Sequence, residues 1–129
     1  MAEPRRKRVL IVEDSDSLQL MMKWGVSNAG YDVDLASDGK QAIQMVQSTI
    51  PDLILLDVMM PELNGFAVCR QLRENERTKH TPIIIITALT AAPDSEEAKL
   101  CGANEVIVKP VSREDLVKKV RAYLGSVFG

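Results

Sequence analysis

Five polar residues of this chain stand where apolar runs end, and their chemistries complement one another. Val9–Val12 leads into Glu13 and Asp14, Leu53–Leu56 into Asp57, Ile83–Ile86 into Thr87, and Val106–Val108 into Lys109. Gathered in one place, three carboxylates, a hydroxyl and an ammonium can build and hold an acyl phosphate. A rigidly held carboxylate such as Asp57 can attack phosphorus. The Thr87 hydroxyl and the Lys109 ammonium can bind phosphoryl oxygens. Crowded carboxylates repel and call for a cation, and a hard ion such as Mg²⁺ takes oxygen ligands of this kind.

Each residue has a blander reading when taken alone. Asp57 could cap a helix, although Met59, Met60 and Pro61 after it offer no capping box. Asp14 or Ser15 could be the N-cap of a first helix, a role that does not exclude metal binding by Glu13 and Asp14. Thr87 alone is an ordinary strand residue; the small Ala88 beside it leaves room for an anion. Lys109 alone is an exposed lysine before a turn, but Pro110 bends the chain there, and cis peptides concentrate at X–Pro bonds. Their joint placement at the ends of strands is what gives the set its meaning.

The elements that must position them follow from the hydrophobic pattern. Short runs rich in Val and Ile, separated by helical patterns, read as buried parallel strands. Parallel strands align their C-terminal ends at one sheet edge, where α/β folds bind ligands. Strands are expected at Lys7–Val12, Tyr31–Ala36, Asp52–Leu56, Ile83–Ile86 and Glu105–Val108. Helices are expected at Ser15–Ala29, with Leu18, Met21, Met22 and Val26 inward, and at Asp38–Ser48, with Ala42, Ile43 and Val46 inward. A third carries Phe66, Val68, Cys69 and Leu72 after a loop marked by Pro61 and Asn64–Gly65. A short fourth spans Asp94–Leu100, closed by Gly102. A last one is capped by Ser112, with Asp115 as reciprocal partner and Leu116, Val120 and Leu124 inward. Gly30 suits the left-handed position that ends the first helix.

The totals set limits. At 129 residues the chain fits one domain able to bury roughly two-thirds of its unfolded surface. A net charge of −2 and 4% aromatic residues argue against a nucleic-acid binder. No apolar stretch has the length of a membrane span, and the basic start is not followed by a signal-peptide core, so a cytoplasmic protein is expected. Residues 1–6 read as a flexible arm, and the run Arg5–Arg8 as solvated. Cys69 and Cys101 lack metal-ligand spacing and read as buried thiols of a reducing compartment. His80 reads as a surface residue.

The stretches VLIVEDS, PDLILLDVMMPELNG, PIIIITA and VIVKP, in this order and spacing, resemble the receiver domain of bacterial two-component response regulators, from Lys7 to Leu124. The resemblance implies a flavodoxin-like (βα)5 fold, with a parallel sheet of order 2-1-3-4-5 and helices on both faces. It implies that Asp57 takes a phosphoryl group from a sensor histidine kinase or phosphotransfer protein. Glu13, Asp14, Asp57 and the backbone carbonyl of Met59 would bind Mg²⁺, and Thr87 and Lys109 would hold the phosphoryl oxygens. The expected protein is a chemotaxis-regulator-like, single-domain phosphoprotein spanning residues 1–129, a monomer or weak dimer. It would act by contact with an effector protein, without direct binding of nucleic acid or membrane. Beyond Mg²⁺-dependent self-phosphorylation and slow self-dephosphorylation, no enzymatic turnover is expected.

Two positions depart from the family pattern. Val106, three residues before Lys109, stands where the family usually has an aromatic switch residue, so switching should be weaker or use other side chains. Met59 and Leu89, two positions after Asp57 and Thr87, are apolar and cannot position an attacking water, which implies a long-lived phosphoryl group. Rival readings are a pseudo-receiver that is never phosphorylated, which need not keep the full residue set, and a phosphohydrolase, which would want an acid/base carboxylate where Met59 stands. A dinucleotide binder lacks its Gly-rich loop after the first strand.

Overall fold

Alternate residues along each central strand enter opposite apolar layers, and that alternation places the helices. The computed structural model describes residues 6–57, 65–87 and 100–125. Its strands are β1 (Arg8–Val12), β2 (Asp32–Ala36), β3 (Leu53–Asp57), β4 (Ile83–Thr87) and β5 (Glu105–Val108). They form one parallel sheet of order β2-β1-β3-β4-β5, as expected. Val9, Ile11, Leu53, Leu55, Ile84 and Ile86 face one layer, closed by α1 (Asp16–Asn28) and the last helix (Arg113–Leu124). Leu10, Val12, Ile54, Leu56, Ile83 and Ile85 face the other, closed by α2 (Gly39–Ser48) and α3 (Gly65–Glu74). β3 and β4 are buried along their whole length, which is why both read as unbroken apolar runs rather than as alternation.

Local signals set the helix ends. Ser15, rather than Asp14, is the N-cap of α1, its hydroxyl accepting from Leu18 N at 3.4 Å. Asp38 accepts from Gln41 N at 2.8 Å at the start of α2, and Ser112 from Asp115 N at 3.0 Å at the start of the last helix. Gly30 follows α1 with φ 104°, a conformation that side chains with a Cβ rarely adopt. The fourth helix expected at Asp94–Leu100 lies outside the described residues except at its end, where Leu100 and Cys101 are helical. Gly102 then turns the chain with φ 93°.

Two arginines of the basic run, Arg6 and Arg8, are paired rather than simply solvated. Arg8 sets its guanidinium on both oxygens of Asp34, at 3.0 and 2.9 Å. Arg6, expected in the arm, donates to Gly30 O at 3.0 Å and lies 3.6 Å from Asp32. The cause is the parallel register, which sets Arg8 opposite Asp32 and Leu10 opposite Asp34. Residues 1–5 of the arm lie outside the described residues. His80 is exposed.

Two side-chain arrangements tie the layers together. Arg73, at the end of α3, donates to Gly102 O at 2.7 Å, Thr81 O at 2.5 Å and Asn104 Oδ1 at 2.5 Å. Asn104 Oδ1 also accepts from Ile83 N at 2.9 Å. One guanidinium thereby fixes the starts of β4 and β5 together. Across the molecule, the Arg113 guanidinium lies 4.4 Å from the centroid of the Trp24 ring, which is 57% exposed. Gly25 makes this approach possible, since a Cβ there would sit 2.5 Å from Arg113 Cγ.

Candidate functional site

The C-terminal ends of β1, β3, β4 and β5 converge as the parallel topology requires. Asp57 is the last residue of β3 and is 3% exposed. Glu13 follows β1, is 1% exposed, and extends the ladder through its amide to Ala36 O at 3.0 Å. Thr87 ends β4 with no exposed surface, one residue past Ile86, which is the register partner of Asp57. Lys109 follows β5, and its amide donates to Thr87 O at 2.8 Å. The Lys109–Pro110 peptide is cis.

The lysine crosses the site. Its Nζ lies 3.1 Å from Asp57 Oδ2 and 3.2 Å from Glu13 Oε1. Carboxylate oxygens of Glu13, Asp14 and Asp57 all lie within 4.8 Å of one another, with Asp14 exposed to solvent. The structure therefore brings together four of the residues singled out in the sequence and sets Thr87 at the end of the adjacent strand. Met59, Ala88 and Leu89 lie outside the described residues.

Electrostatics express the crowding. Burial pushes the Glu13 carboxyl up to about 7, with the negative charge of Asp57 and a hydrogen bond to it acting in the same sense. The Ser15 amide, 3.1 Å from Glu13 Oε2, and the Lys109 ammonium pull it back. Burial works against the charge on Lys109, yet Asp57 and Glu13 outweigh it and hold the ammonium above its usual value. A carboxyl pushed upward is what burial beside another carboxylate produces. An all-oxygen donor set of this size, short of positive charge, fits a small divalent cation such as Mg²⁺.

One supporting residue was not singled out from the sequence. Gln19 is buried on α1, and its amide donates to the Glu13 carbonyl, to Ala36 O at 3.4 Å and to Ser37 Oγ at 3.3 Å. It holds the turn that carries Glu13 and Asp14. Its signal was a polar residue between Leu18 and Met22 on the inward stripe, which helix periodicity alone marks as an interruption.

A parallel sheet with an acidic cluster and a crossing lysine at its C-terminal edge defines a receiver-type α/β domain. Residues 9–121 match the response regulator receiver domain family, and the chain belongs to it. The response regulator ArlR of Staphylococcus saprophyticus is 42% identical over 117 residues, covering 91% of this chain and 52% of ArlR. The chemotaxis protein CheY4 of Vibrio cholerae superposes with a TM-score of 0.88 at 34% identity, covering 92% of this chain and 99% of that one. The receiver domain of the sensor histidine kinase PA1611 of Pseudomonas aeruginosa superposes with a TM-score of 0.85 at 31% identity, covering 95% and 100%. That structure holds a magnesium ion in its active-site cleft. The chain spans about half the length of the curated relatives it matches first. No described helix is long and apolar enough to cross a membrane.

Proposed function

We propose that this receiver domain takes a phosphoryl group on Asp57 from a phosphohistidine of a sensor kinase or phosphotransfer protein. An Asp57 carboxylate oxygen attacks phosphorus, the N–P bond of the donor breaks, and the imidazole leaves with that electron pair. Lys109 swings from bridging the carboxylates to pairing with a phosphoryl oxygen, and Thr87 donates its hydroxyl to another. Glu13, Asp14, Asp57 and the Met59 carbonyl are the proposed ligands of Mg²⁺, which would supply positive charge against the incoming phosphoryl oxygens. The new charge then biases a conformational equilibrium that an effector protein reads.

The observation that carries this reading is the Lys109 ammonium set between two nearly buried carboxylates at the strand ends. It is a prepaired cation whose partner can be exchanged for a phosphoryl oxygen. Incubation with Mg²⁺ and acetyl phosphate, followed by intact mass beside Asp57→Asn, tests it. The expected result is the gain of one phosphoryl group, lost in the variant. No gain from either acetyl phosphate or a phosphorylated histidine donor, with the fold intact, would move the domain to the unphosphorylated pseudo-receivers.

A further inference from the structure

The two cysteines are 32 residues apart in sequence, yet they share one corner of the core. Cys69 is buried on α3, and Cys101 is buried in the helical turn that precedes β5. The Cys69 thiol points at Cys101, with Sγ 3.5 Å from the Cys101 carbonyl oxygen, and the two side chains interact directly. Neither is in a disulfide. A cysteine that only fills core volume needs no second sulfur beside it.

Their settings differ in a useful way. The interaction with Cys69 draws the Cys101 thiol below its usual value, and the Ala103 amide and Arg70 act in the same sense against burial. That same interaction, together with burial, pushes Cys69 up. One sulfur is suited to attack as a thiolate and its neighbour to resolve the product as a thiol.

We propose that Cys69 and Cys101 form an oxidisable dithiol site, which hydroperoxides convert to an intramolecular disulfide joining α3 to the segment that leads into β5. The Cys101 thiolate attacks a peroxide oxygen and the O–O bond breaks, giving a sulfenic acid and hydroxide or alkoxide. The Cys69 sulfur attacks the sulfenic sulfur, the S–O bond breaks as the S–S bond forms, and the Cys69 proton leaves with the oxygen as water. In total, two thiols and one hydrogen peroxide give one disulfide and two waters. The bond closes a chain segment that contains β4 and Thr87, and so restrains α3 against the start of β5.

The test treats the folded, reduced protein with hydrogen peroxide, then unfolds it, alkylates free thiols and measures intact mass. The expected product has lost two hydrogens, takes up no alkylating agent, yields a Cys69–Cys101 linked peptide and keeps its native circular dichroism. Cys69→Ser should stop at a dimedone-trappable sulfenic acid on Cys101, and Cys101→Ala should leave Cys69 reduced under the same exposure. Where a variant does not fold, the linked peptide of the unsubstituted protein decides alone. The proposal is overturned if both thiols of the folded protein remain alkylatable, if each is overoxidised independently, or if the only disulfide formed joins two chains.

Discussion

At the scale of residues, Glu13 ties the site to the stability of the fold. Burial raises its carboxyl from the usual 4.5 of the unfolded chain to about 7 in the folded one. Between those values the folded protein binds more protons than the unfolded chain, so stability falls as pH rises across the window. The deficit is complete above it and should reach on the order of 3 kcal/mol without divalent cations. Urea denaturation across that range in chelator should show the decline, and Glu13→Gln should flatten it. Lys109→Met removes an ammonium that holds the Glu13 carboxyl down and should extend the decline to higher pH. Millimolar Mg²⁺ should raise the stability of the unsubstituted protein, since an ion that takes the gathered carboxylates as ligands would favour the folded state. On the proposed function, Met59→Asn with Leu89→Glu should speed loss of the phosphoryl group by about tenfold or more, as polar groups there can orient water. Unchanged decay of the mass-resolved phosphoprotein would remove apolar shielding as the explanation.

At the scale of elements, the Arg73 bonds make a sharp prediction. Arg73→Ala leaves the Gly102 and Thr81 carbonyls without this donor and should cost about 2–3 kcal/mol, read as a lower urea midpoint. Arg73→Lys should recover only part, since an ammonium cannot span the fork of acceptors. Neither these bonds nor the contact of the two thiols was legible in the sequence, and the reason is the same. The central strands could be read because burial on both faces forces continuous Val, Ile and Leu, and the site could be read because parallel strands carry their terminal polar residues to one edge. An arginine about thirty residues from Gly102 and Asn104 leaves no periodic trace. Arg8 on Asp34 was hidden in the same way: the charges were visible, but only the register of β1 on β2 makes them neighbours.

At the scale of the whole molecule, the question is how far an event at Asp57 travels. Val106 packs part-buried against the α2–α3 layer and has no ring to exchange between burial and solvent. Phosphorylation should therefore shift amide resonances around residues 13, 57, 87 and 109, with small changes at Val106. Large changes there and along the expected helix at Asp94–Leu100 would show that another side chain serves as the relay. The sole tryptophan decides what optical spectroscopy can report. Trp24 lies on the outer side of α1 under the Arg113 guanidinium, at the seam between the first and last helices. Its emission is a gauge of that seam: it should change in Arg113→Ala, yet follow ligand binding at the carboxylates only when the last helix moves, so a silent fluorescence titration would mark a still helix rather than an empty site.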